Sequence, residues 1–173
     1  MTFKNQLKLF LALCFLLVTL IFATCRYSTK DTAPIPPEIT TFRVNYFQNK
    51  ARYVNPQITP QLTESVRQKI IGQTRLRQVN DDNANYDISG YLSDYSVTTS
   101  GVANQTAGQN RLNVTFHLIF KNTLDSKKDF EADLTSNYDF SANQTLQQAE
   151  SALNETILKN ISDAVFNKIF SNW

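Results

Sequence analysis

Apolar and polar residues alternate along residues 110–122 (NRLNVTFHLIFKN), the most regular pattern in the chain. Leu112, Val114, Phe116, Leu118 and Phe120 take the even positions, while Arg111, Asn113, Thr115, His117 and Lys121 take the odd ones, with Ile119 as the apolar exception. Successive side chains of a strand point to opposite faces, so the pattern predicts a strand with one dry face and one wet face. Residues 129–140 return in the same phase through Phe130, Ala132, Leu134 and Tyr138. Pairing Lys121 with Asp129 sets Phe120 against Phe130, Phe116 against Leu134 and Arg111 against Asp139. That register matches apolar to apolar and opposite charges to each other, although a slip of two residues would keep the same faces. Residues 86–98 form a further strand whose phase changes between Leu92 and Tyr95, which an inserted residue near Ser93-Asp94 would produce. Residues 38–48 read as a first strand with Phe42, Val44 and Tyr46 on one face.

Two stretches carry helical spacing instead. Thr59-Pro60 opens the first, with Thr59 as N-cap, and Leu62, Val66 and Ile70 form a narrow stripe before Gly72 as a stop. The second starts at Ser141, with Gln144 completing a capping box, and runs to Phe170. Leu146, Ala149, Leu153, Ile157, Ile161, Ala164, Val165 and Ile169 repeat along it at threes and fours, enough to cover a broad strip of sheet. Residues 49–58, 80–85 and 100–109 have no period and read as loops. The predicted order is β-α-β-β-β-α, in the α+β class.

The beginning of the chain follows another logic. Lys4 and Lys8 precede the apolar run LFLALCFLLVTLIF, and Ala23-Thr24 leads into Cys25. Basic, apolar and small residues in that order make a secretory signal, and the run is short for a membrane span of ~20 residues. The end of the segment resembles the lipobox of bacterial lipoproteins, with Thr24 standing where Gly or Ala is usual. That resemblance implies cleavage before Cys25 and a lipid on its sulfur. One acyl chain holds a protein only marginally, whereas two or three anchor it stably. Residues 1–24 are thus a signal peptide, 25–37 (with Pro34, Pro36 and Pro37) an extended lipidated tether, and 38–173 the folded domain.

This division changes the chemistry. The full chain has 17 Lys+Arg against 15 Asp+Glu, and without Lys4 and Lys8 the balance is 15 against 15. The mature chain is thus neutral, and nothing in it suggests a nucleic-acid binder, which would need a basic surface. Cys14 is lost with the signal, so Cys25 is the one thiol left and no disulfide or cysteine metal site forms. His117 is the single histidine and falls on a wet strand face without a catalytic partner set. Asp129, Glu131 and Asp133 lie two apart on a wet face, where solvated charge is the ordinary state. The chain has no phosphate-cradling glycine loop, nucleophile motif or metal spacing, so neither an enzyme nor a cofactor is expected.

The blocks VNYFQNKARYVNP, TPQLTESVRQKIIGQT, QNRLNVTFHLIFKN and AVFNKIFSNW, taken with the lipobox, resemble the LPS-assembly lipoprotein family (LptE) in its Bacteroidetes branch. The sequence departs from that pattern in having Arg26 directly after Cys25, where Gly is often found. The resemblance implies a two-layer α/β sandwich, a four-stranded sheet with two helices on one face. It also implies an outer-membrane lipoprotein facing the periplasm, which plugs the LPS-transport β-barrel and helps to deliver lipopolysaccharide. No lipopolysaccharide-contacting motif of the family matches, so Arg75, Arg77 and Arg111 are phosphate-contact candidates on charge alone. For the barrel, the loops 49–58 and 100–109 and the polar positions of residues 110–122 are the expected contacts. A free-standing periplasmic lipoprotein that binds a small ligand or a cell-wall enzyme is the alternative, with a secretin pilotin third. Intact-mass measurement tests the anchor: the mature protein should begin at an acylated Cys25, and a chain that retains Met1 would refute it.

Overall fold

The computed structural model describes residues 35–100 and 108–171, with Ser100 described by its backbone alone. In chain order the elements are β1 (Thr41–Val44), β2 (Gln48–Asn49), α1 (Ile58–Gln73), β3 (Arg77–Gln78), β4 (Tyr86–Ser100), β5 (Gln109–Asn122), β6 (Phe130–Ser141) and α2 (Leu146–Phe170). One turn of 3-10 helix, Ser126–Lys128, closes the β5–β6 connection. The sheet order is β3-β1-β4-β5-β6, with β2 also pairing with β4. β1 runs parallel to β3 and β4, whereas β4–β5 and β5–β6 are antiparallel hairpins.

The alternating stretch is β5, and it lies inside the sheet. Leu112, Val114, Phe116 and Leu118 are all fully buried, and the residues between them are half-exposed or exposed. β6 pairs with it in the expected register, Arg111 opposite Asp139, Phe116 opposite Leu134 and Phe120 opposite Phe130. On the other side the β4 register shifts between Leu92 and Asp94, so Ser93 is the bulged residue. Its hydroxyl donates to the Thr115 carbonyl, 3.3 Å away. Beyond the bulge Tyr95 points into the core and is 2 % exposed. Gly90 is fixed by close packing: a Cβ there would collide with the His117 carbonyl oxygen and the Phe116 ring. That ring fills the space and meets Phe47 edge-on, with centroids 4.7 Å apart.

Both helices cover the face that carries Phe116. α1 buries Ile58, Leu62, Val66 and Ile70, and α2 buries Ala149, Ile157, Ile161, Val165, Phe166 and Phe170, all in one hydrophobic cluster with the strands. The helices run parallel. Asn154 of α2 donates to Gln61 of α1 near their starts (2.9 Å), and Lys69 pairs with Asp163 farther along.

The sheet has six strands where four are expected, because strands of two residues are too short to show a period. β3 is one of them. The other arises because residues 38–48 are not a single strand: Phe42 and Val44 point inward, but Tyr46 is 65 % exposed and Phe47 is buried. The chain leaves β1 there, the Phe47 N–H donates to the Thr63 hydroxyl on α1 (3.1 Å), and β2 resumes pairing.

The helix ends also differ from expectation. α1 begins at Ile58 with Gln57 as N-cap and no side-chain cap, so Thr59 is inside the helix and buried. Pro60 is tolerated there because the first N–H groups of a helix have no partner in any case. Gly72 is an interior residue, and Thr74 closes the helix by donating its N–H (3.0 Å) and hydroxyl (2.8 Å) to the Ile70 carbonyl. α2 starts one turn later than Ser141. Pairing with Gln109 retains Ser141 in β6, and the next Thr/Gln pair, Thr145 and Gln148, forms the capping box.

This packing separates neighbours in sequence. Phe116→Ala should cost about 3–5 kcal/mol in chemical denaturation, the range for emptying a buried aromatic site, and Gly90→Ala about 1–3 kcal/mol or more by overpacking. His117→Ala should cost no more than ~1 kcal/mol, and equal losses at positions 116 and 117 would refute the assignment of faces.

Candidate functional site

Among the described residues no element lies over the face of the sheet opposite the helices, and its side chains form a cross-strand polar network. Arg43 of β1 pairs with Asp82 and, at 2.7 Å, with Asp87 of β4; Asp87 first and Asp82 second hold its guanidinium charged. Asn45 donates to the same Asp87 carboxylate. Toward the middle, the Lys50 ammonium lies 3.9 Å from the centre of the Tyr91 ring, and Tyr91 stacks on His117 at 4.8 Å. The His117 ring then reaches β6, with Nδ1 2.7 Å from Asp133 and Nε2 3.2 Å from Glu131. Thr115 and Thr135 share a hydrogen bond, Asn113 donates to Thr98, and Arg111 grips Asp139 by two bonds of 2.7 and 3.1 Å.

Each link follows from register. His117 lies between Tyr91 and Asp133 because it pairs with both across the ladders. Its two ring nitrogens engage different carboxylates at opposite edges of the ring, so the three groups do not converge on one point. Among the described residues no cluster of three His, Cys, Asp or Glu is placed to hold a metal.

A second feature lies on the helical layer. Tyr53, Asn55 and Gln57, ahead of α1, face Gln147, Glu150 and Asn154 on the first turns of α2 across a cleft of about 530 Å³. Tyr53 stacks on Tyr95 at 5.7 Å and donates its hydroxyl to Glu150 (3.3 Å), and the Asn55 amide donates to the other Glu150 oxygen (3.1 Å). Burial, and then Glu150, push the Tyr53 and Tyr95 phenols upward. Nothing in the sequence marks this cleft, because its walls lie some 95 residues apart and meet only through the parallel pairing of the helices.

The family model described as "LptE: Lipopolysaccharide-assembly" matches residues 39–169, most of the chain. The chain belongs to the LptE family. No curated protein matches it. Among solved structures it is similar to a minor lipoprotein from Acinetobacter baumannii, at 15 % identity over 71 % of this chain and 90 % of that one, with a TM-score of 0.48. It is also similar to the rare lipoprotein B from Shewanella oneidensis, at 13 % identity over 75 % and 90 % of the two chains, with a TM-score of 0.43.

In this LptE domain the three candidate arginines are not gathered together. Arg75 donates to the backbone carbonyls of Ile35 (3.0 Å) and Pro36 (2.7 Å), and Arg77 is exposed on the β3 edge beside Thr41. Arg111 lies opposite Thr98, while β1 meets β4 at Tyr86. The interval from Tyr86 to Thr98 is roughly 40 Å of strand at ~3.3 Å per residue, so Arg77 and Arg111 belong to opposite ends of the sheet. Cys25 and most of the 100–109 loop lie outside the described residues. Among the described residues no helix is long and apolar enough to cross a membrane.

His117 gives this face a pH dependence. The hydrogen bond to Asp133 raises its pKa most, burial opposes the rise, and Glu131 adds to it, with a net result above the ordinary 6.5. A raised folded-state pKa means stabilisation that is complete below the unfolded value and lost as pH rises through the folded one. Denaturation of wild type and His117→Gln should therefore show a stability gap that is full in mild acid and narrows as pH rises above the ordinary histidine range; a constant gap would contradict the assigned hydrogen bonds.

Proposed function

We propose that this domain acts in lipopolysaccharide assembly as the lipid-anchored plug of an outer-membrane transport barrel, held through Cys25 and facing the periplasm. The observation that carries the reading is the uncovered sheet face. Soluble two-layer domains commonly leave one side of an antiparallel sheet to water, but here the side chains already bond to one another from Arg43 to Asp139. A surface prepared in this way meets a polar, wet wall at little cost, since its groups keep their internal partners while waters bridge the rest. Barrel interiors are polar in this sense. The membership of the chain in the lipopolysaccharide-assembly family supports the same reading.

On this reading the arginines act separately. Arg77, exposed on the edge, is available to a lipopolysaccharide phosphate as it stands. Arg111 would exchange Asp139 for a phosphate, and Arg75 would release its two backbone carbonyls. With Arg77 and Arg111 at opposite ends of the sheet, they would meet different phosphates. The cleft between Tyr53 and Glu150 favours the second reading, a free-standing periplasmic lipoprotein that binds a small ligand.

Copurification separates the two readings. The chain tagged after Trp173 should bring an outer-membrane barrel with it from detergent-solubilised membranes. Asn113→Trp or Thr115→Trp, on the uncovered face, should lower the yield of barrel at least about tenfold, with thermal unfolding of the protein nearly unchanged. Gln68→Trp, on the exposed side of α1, should leave the yield intact. A chain that brings no barrel would favour the free-standing lipoprotein, and a full yield from both face variants would remove this surface from the mechanism.

A further inference from the structure

The cleft on the helical layer has a composition that selects among ligands. The Tyr53 ring stacks on the buried Tyr95 and is itself 42 % exposed, so one ring face is backed by protein while the other opens on the cleft. The polar groups around it are mostly amides and hydroxyls. Several keep hydrogen-bonding capacity: Asn154 donates to Gln61 but its side-chain carbonyl is not used there, and Gln57 makes no capping bond with its own helix. Gln147 is exposed on the first turn of α2, and Glu150, held in place by Tyr53 and Asn55, retains further lone pairs.

Charge narrows the choice. The starts of two parallel helices each carry about half a positive charge, which would favour an anion. Glu150 stands between them and offsets both, and among the described residues those lining the cleft include no Lys or Arg. A phosphate or carboxylate would meet a like charge without a cation to hold it. A ligand that suits these walls is uncharged, presents donors and acceptors on neighbouring atoms, and has an apolar face for the ring. A pyranose sugar has these properties: each hydroxyl both donates and accepts, as each primary amide does, and its axial C–H bonds form a flat apolar patch. The volume of about 530 Å³ accommodates one or two such rings.

We infer that this cleft is a binding site for a neutral carbohydrate, with Tyr53 as the stacking platform, Gln57, Gln147 and Asn154 as amide partners and Glu150 as an oriented acceptor for hydroxyls. The site is on the opposite layer from the polar sheet face and does not depend on the barrel reading. The same chemistry occurs in the neutral hexoses of a surface glycolipid and in the N-acetylated sugars of wall glycan, so both are tested.

The experiment follows the side-chain amide and backbone signals of the isotopically labelled full chain, in detergent micelles, during titration with maltotriose or N,N′-diacetylchitobiose. Either sugar should shift the amide signals of Asn55, Gln57, Gln147 and Asn154 with a dissociation constant of roughly millimolar, and the sugar that binds more tightly identifies the source. Tyr53→Phe should retain affinity within about threefold, and Tyr53→Ala should lose about tenfold. Gln147→Leu, on an exposed helix position, should weaken binding while the remaining backbone signals stay in place. The inference is overturned if neither sugar shifts these signals at about a hundred millimolar, well above the expected constant. It is equally overturned if inorganic phosphate or ethanolamine shifts them where the sugars do not, or if Tyr53→Ala and Gln147→Leu both bind as tightly as wild type.

Discussion

The arrangement of both sheet faces rests on the register in which β5 is held between β4 and β6. Side chains alternate with a period of two, so a slip of one residue would move Phe116 into solvent and His117 into the core. Two constraints oppose such a slip. On the β6 side, Phe116 faces Leu134 while Arg111 and Asp139 meet at the far end of the hairpin. On the β4 side, the bulge at Ser93 adjusts the phase so that Ile88 and Leu92 before it and Tyr95 after it all point inward. Without the extra residue, the end of β4 would turn its apolar groups outward. Gly90 secures the same region, because the Phe116 ring occupies the space that a side chain there would need.

The polar face is a consequence of that register. His117 bonds to Asp133 because the two residues are opposite each other, and it stacks on Tyr91 for the same reason on the other side. Paired charges at an exposed surface contribute little to stability. Their arrangement matters more for recognition, since a face whose charges are internally balanced presents shape and hydrogen bonds to a partner without a strong net field. This suits a domain whose proposed setting is a confined polar lumen.

The helical layer follows a different constraint. α1 and α2 run parallel, so their starts lie side by side and the chain entering α1 comes to rest against the first turns of α2. Tyr53, in that entering segment, is positioned by Tyr95, the residue that the β4 bulge turned inward. The sheet register and the cleft are thereby connected: the bulge that completes the core also supplies the support for the exposed ring.

The sequence by itself determined the periodic elements. The faces of β5 and β6, their pairing, the bulge at Ser93-Asp94, the apolar stripes of both helices and the α+β class were legible because each is a local repetition of side-chain chemistry. The family too was legible, from blocks spread over most of the chain. The tertiary structure decided what carries no period. β2 and β3 are two residues long and exist because neighbouring strands offer unpaired backbone groups. Thr59 and Ser141 have the chemistry of N-caps, yet Thr59 is buried within α1 and the pairing of Ser141 with Gln109 leaves the cap of α2 to Thr145. The three arginines looked equivalent as charges, and only the fold showed which have internal partners and how far apart they are. The cleft was the least legible feature, because Asn, Gln and Glu on a helix surface look like ordinary solvated residues until a second chain segment is packed opposite them.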